Sequence, residues 1–464
     1  MKSKPFSWRA SKTFFLPLCL MLAGTAGIRA GSSGTNAQDG CFLPALAESD
    51  HLLGDIPGRR SLADSNGVTL NGQLINDMLW NTTGGNSPGG ADIGLLQFGM
   101  DADLQKLIGL PGGTFHNSWL WIYGRNPSGY VGDAFGVSGL SASPALRCYE
   151  LWYQQAFAGN AFSLRAGLLA VDTDFVLSDT AALFVNSSFG LANLASFNLA
   201  NSGPIYPMAT PGVRLEINPT GWLTLHSVFA QANPFGQQEN LHNFNWNFGS
   251  SGGLLSINEA RVDWKTLFRT GLPGTAKAGF WIQNGPAPML PEEFSFCAPS
   301  NLQYSTGFYG ILDQALYRVP TGARNSRAGT AFPARDEAVV PEPDDAAPLG
   351  LNAFTRAGFC PQPDNPMSLF VDGGLVYTGL FPSRKADRLG LAFAYGQVSS
   401  GYRSLAAQEG LPGASFEAVS ELTYSIQMTP AVTLQPDLQY VLHPGGTQQY
   451  GNALVAGFRA TVTF

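Results

Sequence analysis

The sequence predicts an all-β fold: a transmembrane antiparallel β-barrel of about sixteen strands. Three observations predict it. Most alternating polar–apolar segments run 10–15 residues, whereas ordinary strands average about five or six and tilted membrane-crossing strands need about nine to eleven. The connections between them largely alternate between short and long, as a barrel with tight turns at one end and loops at the other requires. The chain of 464 residues carries 55 Gly, 12% aromatic and only 13% charged residues, which suits many strands and turns; ordinary globular chains are about a quarter charged.

From the N-terminus, Lys2, Lys4, Arg9 and Lys12 precede an apolar run, Phe14 to Ala23, too short to span a bilayer. Cleavage is expected after Ala30 or Ala26, so residues 1–30 read as a signal peptide. Residues 31–67 read as a periplasmic extension with a short helix, and 68–464 as the barrel. Removing residues 1–30 leaves 21 basic against 33 acidic residues, a net charge of −12. That acidity argues against nucleic-acid binding, which needs Lys and Arg at phosphates. No later apolar run reaches 18 residues, so no helical span is expected.

The expected strands are 68–81, 91–105, 112–125, 147–158, 161–172, 210–219, 222–232, 253–266, 274–284, 309–319, 350–360, 367–381, 387–398, 416–428, 432–443 and 453–464. Their alternation defines two faces. Val213, Leu215 and Ile217 oppose Arg214 and Glu216; Leu422, Tyr424, Ile426 and Met428 oppose Glu421, Thr423, Ser425 and Gln427. In a membrane barrel the apolar face meets lipid and the polar face lines the lumen. The alternation alone equally suits a soluble sandwich. Residues 320–349, with "VVPEPDDAAP", break the rule by placing a long connection at the short-turn end.

Four cysteines follow the signal, in no zinc spacing; no metal or cofactor is expected. Cys297 and Cys360 fall at the same end of the barrel, which makes a disulfide between them feasible. Catalysis is not expected: His51, His116, His226, His242 and His443 are scattered, and no H-E-x-x-H or G-x-S-x-G occurs.

Residues from about 52 to 464 resemble the carbohydrate-selective porins of the OprB family. The resemblance rests on "LLGDIPGRRSLADSNGVTLNG", "GTFHNSWLWIYGRN", "YELWYQQAF", "FSLRAGLLAVDTDFVLSDTAALFVNSSFG", "GPIYPMATPGVRLEINPT" and "ELTYSIQMTPAVTLQPDLQYVLHPGG", in that order. It implies a sixteen-stranded barrel in the bacterial outer membrane, loops folded inward to narrow the pore, and passive diffusion of small neutral sugars. It also implies a monomer. Phe464 resembles the C-terminal signal that such barrels present to their insertion machinery.

Sugar passage needs a wet path, planar faces and exchangeable hydrogen bonds. Asn117, Trp119, Trp121, Tyr123 and Arg125 share a face of the third strand, opposite Leu120 and Ile122. Because Leu120 and Ile122 suit lipid and Arg125 does not, the Trp face is expected to line the lumen; the opposing reading is an interfacial aromatic girdle. Glu150, Trp152 and Gln154 are expected to face inward, because a mid-depth charge on the lipid face is costly. Arg165 is expected inward on the next strand, placed to pair with Glu150. Asp172 and Asp174 open a connection of about 35 residues, apolar enough to pack inside the barrel. A general or anion-preferring porin and an exported barrel enzyme are the alternative functions.

Overall fold

The structure, a computed structural model, describes residues 49–55, 58–190, 192–246, 252–264, 271–285, 304–319, 348–363, 365–408, 413 and 415–464. The expected signal segment and the start of the expected extension (residues 1–48), residues 320–347 and Cys297 lie outside the described residues. Sixteen strands follow in chain order: β1 Val68–Gly85, β2 Gly89–Asp103, β3 Gly113–Gly124, β4 Ala145–Phe157, β5 Phe162–Leu169, β6 Thr210–Thr220, β7 Leu223–Gln231, β8 Leu254–Trp264, β9 Gly274–Asn284, β10 Tyr304–Arg318, β11 Gly350–Phe359, β12 Met367–Thr378, β13 Arg388–Val398, β14 Phe416–Thr429, β15 Val432–Leu442 and β16 Gly451–Thr463. Each pairs antiparallel with its sequence neighbours, and β1 pairs with β16 to close the barrel. Closure leaves no unpaired edge, as a bilayer demands. The largest boundary difference is at β10, which starts at Tyr304 because Tyr304 to Gly307 already pair with β9; the polar run there hides the strand in the sequence.

Short helices sit on the connections: α1 Arg59–Ser65, α2 Leu104–Ile108, α3 Ser128–Val131, α4 Asn193–Asn198 and α5 Ser400–Gln408. In α2, Asp103 caps the start by accepting N–H bonds from Gln105 and Lys106 at 2.9 and 3.2 Å, and Gly109 ends it in a left-handed conformation. No described helix is long and apolar enough to cross a membrane.

The outer surface is apolar: Val213, Leu215, Ile217, Leu422, Met428, Leu438 and Tyr440 are exposed there. The inner wall carries the charges. Two connections turn into the lumen, residues 125–144 after β3 and residues 170–209 after β5. The second buries Phe175, Leu183, Phe184, Phe189, Leu194 and Leu199 in one core with wall residues Trp281, Ile311, Phe354 and Phe370. Inward glutamate side chains fasten these loops by their backbone. Glu421 accepts N–H bonds from Val185 and Asn186 at 2.6 and 2.9 Å. Glu417 accepts those of Ala134 and Phe135, both at 2.8 Å, and Glu259 that of Val176 at 3.1 Å. Arg356, ion-paired with Asp372, donates to the carbonyls of Ser188 and Gly190 at 2.8 and 2.5 Å. Inward polar side chains thus satisfy loop backbone that would otherwise be stranded out of water.

Candidate functional site: a charged band in the lumen

Register assembles the band. Gln154 lies opposite Arg165, and Arg165 opposite Arg214, so three long polar side chains stand in one row across β4, β5 and β6. Asp174, delivered by the loop after β5, completes a ring. It accepts from Arg165 Nη1 at 2.9 Å and Arg214 Nη1 at 3.0 Å, while Gln154 Oε1 accepts from Arg165 Nε and Arg214 Nη2, both at 3.0 Å. Each guanidinium is held at two points, which fixes its plane.

Charges continue on both sides. Glu216 lies 3.1 Å from Arg214 and 3.7 Å from His226 Nε2. One pleat from the ring, Trp152 stacks on His116 with centroids 4.8 Å apart and planes at 17°, and the Arg165 guanidinium carbon sits 3.9 Å from the Trp152 ring centroid. His116 Nδ1 lies 2.6 Å from Asp101, and its Nε2 3.9 Å from Glu150. Gly167 makes room for Trp152: its φ is +148°, and a Cβ there would come within 2.2 Å of Leu151 O. Trp152 Nε1 and Arg214 Nε are buried without a protein acceptor among the described residues. A buried unmet donor costs about 1–3 kcal/mol, and both atoms are sealed from the lumen.

The structure gathers Glu150, Trp152, Gln154, Arg165 and Asp174 inside the barrel, and corrects several expectations. Trp119, Trp121 and Tyr123 face outward, with Trp121 52% exposed, while Leu120 and Ile122 face inward. The inward aliphatics meet protein, not water: Leu140 and Ala142 of the loop after β3 cover them, with Ile93 and Leu95 in the same cluster. Arg125 is exposed beyond the end of β3, outside the band. Arg165 bonds Asp174 and Gln154, not Glu150, because register sets it opposite Gln154. Glu150 instead accepts from Thr173 Oγ1 at 3.3 Å. Asp172 fastens its loop, accepting from Tyr206 N and Tyr149 Oη at 3.0 Å each; burial pushes its carboxyl up to about 6. Cys360 is buried and accepts from Asn198 Nδ2 at 2.9 Å, and burial pushes its thiol up to about 12; Cys297, its expected disulfide partner, lies outside the described residues. Arg214, Glu216, His226 and Asp101 belong to the band without having been singled out; their signal was an inward charge level with Arg165 on neighbouring strands.

A closed sixteen-strand barrel with an apolar exterior, a charged interior and loops packed in its lumen defines an outer-membrane porin. The chain belongs to the carbohydrate-selective porins of the OprB family, whose model matches residues 87–464. It is similar to Porin B of Pseudomonas aeruginosa, 23% identical over 476 residues that cover 96% of this chain and 97% of that one. Its fold resembles the high-pH structure of Pseudomonas putida OprB, with a TM-score of 0.74 at 21% identity over 90% of this chain and 99% of that one. The low-pH structure of that protein gives 0.53 at 16% identity, with the same coverage. The protein resides in the bacterial outer membrane and is a channel, not an enzyme.

Proposed function

We propose that the protein passes small neutral sugars, glucose-like in size, by passive diffusion, and that the ring of Arg165, Asp174, Arg214 and Gln154 is where they are recognised. The single observation behind this reading is the ring itself, where guanidinium N–H groups and carboxylate and amide oxygens stand side by side across β4, β5 and β6. A sugar hydroxyl both donates and accepts, so it can bridge the partly exposed Arg165 guanidinium and Asp174 carboxylate in exchange for water. Trp152 contributes an edge more than a face, since it is only 9% exposed between His116 and Arg165. An anion preference fits less well, because Asp174 and Glu216 already neutralise both arginines.

Residues 1–30 act as the export signal in this reading, and the small carbohydrate is the only partner the lumen needs besides the bilayer. Liposome swelling with a panel of mono- and disaccharides tests the proposal. Monosaccharides should enter faster than charged solutes of equal size, and should reduce ion current in planar bilayers. Equal entry of charged and neutral solutes would favour a general porin.

A further inference from the structure

One aromatic cluster plays no part in the transport path. On the loop-end half of β3, Trp119, Trp121 and Tyr123 lie on the outside of the barrel. The wall is notched beside them. Pairing of β5 with β4 stops at Leu168 opposite Leu151, so the first residues of β4 have no strand neighbour on that side. The loop after β7 fills the notch. Cys148 N donates to His242 O at 3.3 Å, and Asn243 Nδ2 donates to Cys148 O at 2.9 Å. From within, buried Arg147 donates to the carbonyls of Leu241 at 2.8 Å and Ser143 at 3.0 Å. This seating carries Phe244 edge-on to Trp119, centroids 6.2 Å apart, and Trp246 onto Phe244 at 6.2 Å. Trp121, Phe244 and Trp246 remain 52%, 54% and 41% exposed. His242 and Asn245 are exposed beside them, and exposed Arg125 above β3 forms no ion pair among the described residues. The acid nearest in register, Asp92, is also exposed and accepts the Arg125 N–H through its backbone carbonyl at 2.8 Å.

We propose that this patch binds a phosphorylated glycolipid of the outer leaflet. The patch continues the lipid-facing wall, so its occupant has an apolar part lying in the bilayer. Beside its rings the patch offers the exposed Asn245 amide and the exposed His242 imidazole, whose Nδ1 is held 2.8 Å from Leu146 O; planar aromatics and amides suit sugar rings. Arg125 supplies the planar cation that suits phosphate. A free oligosaccharide lacks the apolar anchor, and a simple phospholipid lacks the sugar.

The test uses the full chain in phospholipid nanodiscs, titrated with a bisphosphorylated glucosamine-disaccharide lipid. The same lipid without phosphates and the free phosphorylated disaccharide serve as comparison ligands. Native mass spectrometry should count one retained glycolipid. The double variant Trp121→Ala/Phe244→Ala should weaken binding at least tenfold, and Arg125→Ala should erase most of the preference for the phosphorylated form. Sugar block of ion current should persist in both, because these residues lie outside the lumen; this separates the inference from the proposed sugar path. Heat-modifiable mobility confirms that each variant is a folded barrel. Should a variant not fold, quenching of wild-type tryptophan fluorescence by the glycolipid with brominated acyl chains replaces it. Equal binding by wild type and double variant, tight binding of the free disaccharide, or no quenching overturns the proposal.

Discussion

Asp174 touches two arginines at once, and that makes it the most informative single residue in the lumen. Asp174→Asn keeps the shape but removes the charge that neutralises Arg165 and Arg214. A charge-assisted hydrogen bond contributes about 1.5–3 kcal/mol, and about 1.4 kcal/mol is tenfold in affinity. The sugar concentration for half-block should therefore rise about tenfold, and the reversal potential should move toward anions. Unchanged sugar block in Asp174→Asn would place recognition elsewhere. Trp121→Ala is the matched control: its ring faces away from the lumen, so sugar block should not change.

At the scale of elements, the strands and the inward packing of the loop after β5 were legible, and the loop after β3 was not. All sixteen strands are readable because a lipid-facing apolar residue at every second position is a strong signal, as Val213, Leu215 and Ile217 on β6 illustrate. The same signal misreads β3, since period two gives two faces but not which one is wet. Leu120 and Ile122 look like lipid contacts, yet Leu140 and Ala142 bring an apolar surface to them from inside. The sequence of one strand cannot announce a loop that arrives later. Glu150, Trp152, Gln154 and Arg165 were legible as inward residues because charge fixed the face, but their partners depended on register and on the loop carrying Asp174. Loop fastening is testable. Glu421→Ala removes the acceptor of two loop N–H groups, at a cost of about 1–3 kcal/mol for each donor left unsatisfied. Single-channel conductance should rise and current noise increase as the loop after β5 loosens; an unchanged current trace would mean that the apolar core alone holds it. Acidity should act in the opposite sense. Burial pushes Asp133 in the first loop and Asp172 in the second up to about 6, against about 4 for a free carboxyl. Docked loops therefore bind protons that released loops do not. Docking strengthens as pH falls through about 6, with the full gain present below about 4 and lost as pH rises above 6. Current noise should drop between pH 7 and pH 5, and Asp133→Asn/Asp172→Asn should flatten that change; a pH response undiminished in the double variant would assign it to other groups.

At the scale of the whole molecule, the barrel is a closed ring of strands whose one non-consecutive junction is β1 with β16. That seam joins residues 382 positions apart in the chain, so its loop-closure entropy is the largest of any pairing. Two features secure it. Inside, Arg459 donates to fully buried Asp77 through Nε at 2.7 Å and Nη2 at 2.8 Å, and Ser138 of the first lumen loop donates to the same carboxylate at 2.6 Å. At the short-turn rim, Phe464 N donates to Gly72 O at 2.8 Å, and Leu52 of the N-terminal extension donates to Thr463 O at 2.8 Å. Arg459→Leu leaves Asp77 buried and unpaired, which costs about 3–5 kcal/mol. Its unfolding temperature by heat-modifiable mobility should fall, and Asp77→Asn added to Arg459→Leu should recover part of the loss, because the stranded charge is then gone. Additive losses in the double variant would mean that the pair is not coupled. Deleting Phe464 should act differently. It removes the bond to Gly72 O and a backbone bond with His51 at a half-buried rim, too little to unfold a barrel held by fifteen other strand pairings. If that terminal aromatic is what the insertion machinery reads, the truncated chain should reach the outer membrane in much lower yield while the inserted fraction conducts normally. Normal yield would reduce Phe464 to a seam contact, and normal yield with a lowered unfolding temperature would show that its contribution is to the ring itself.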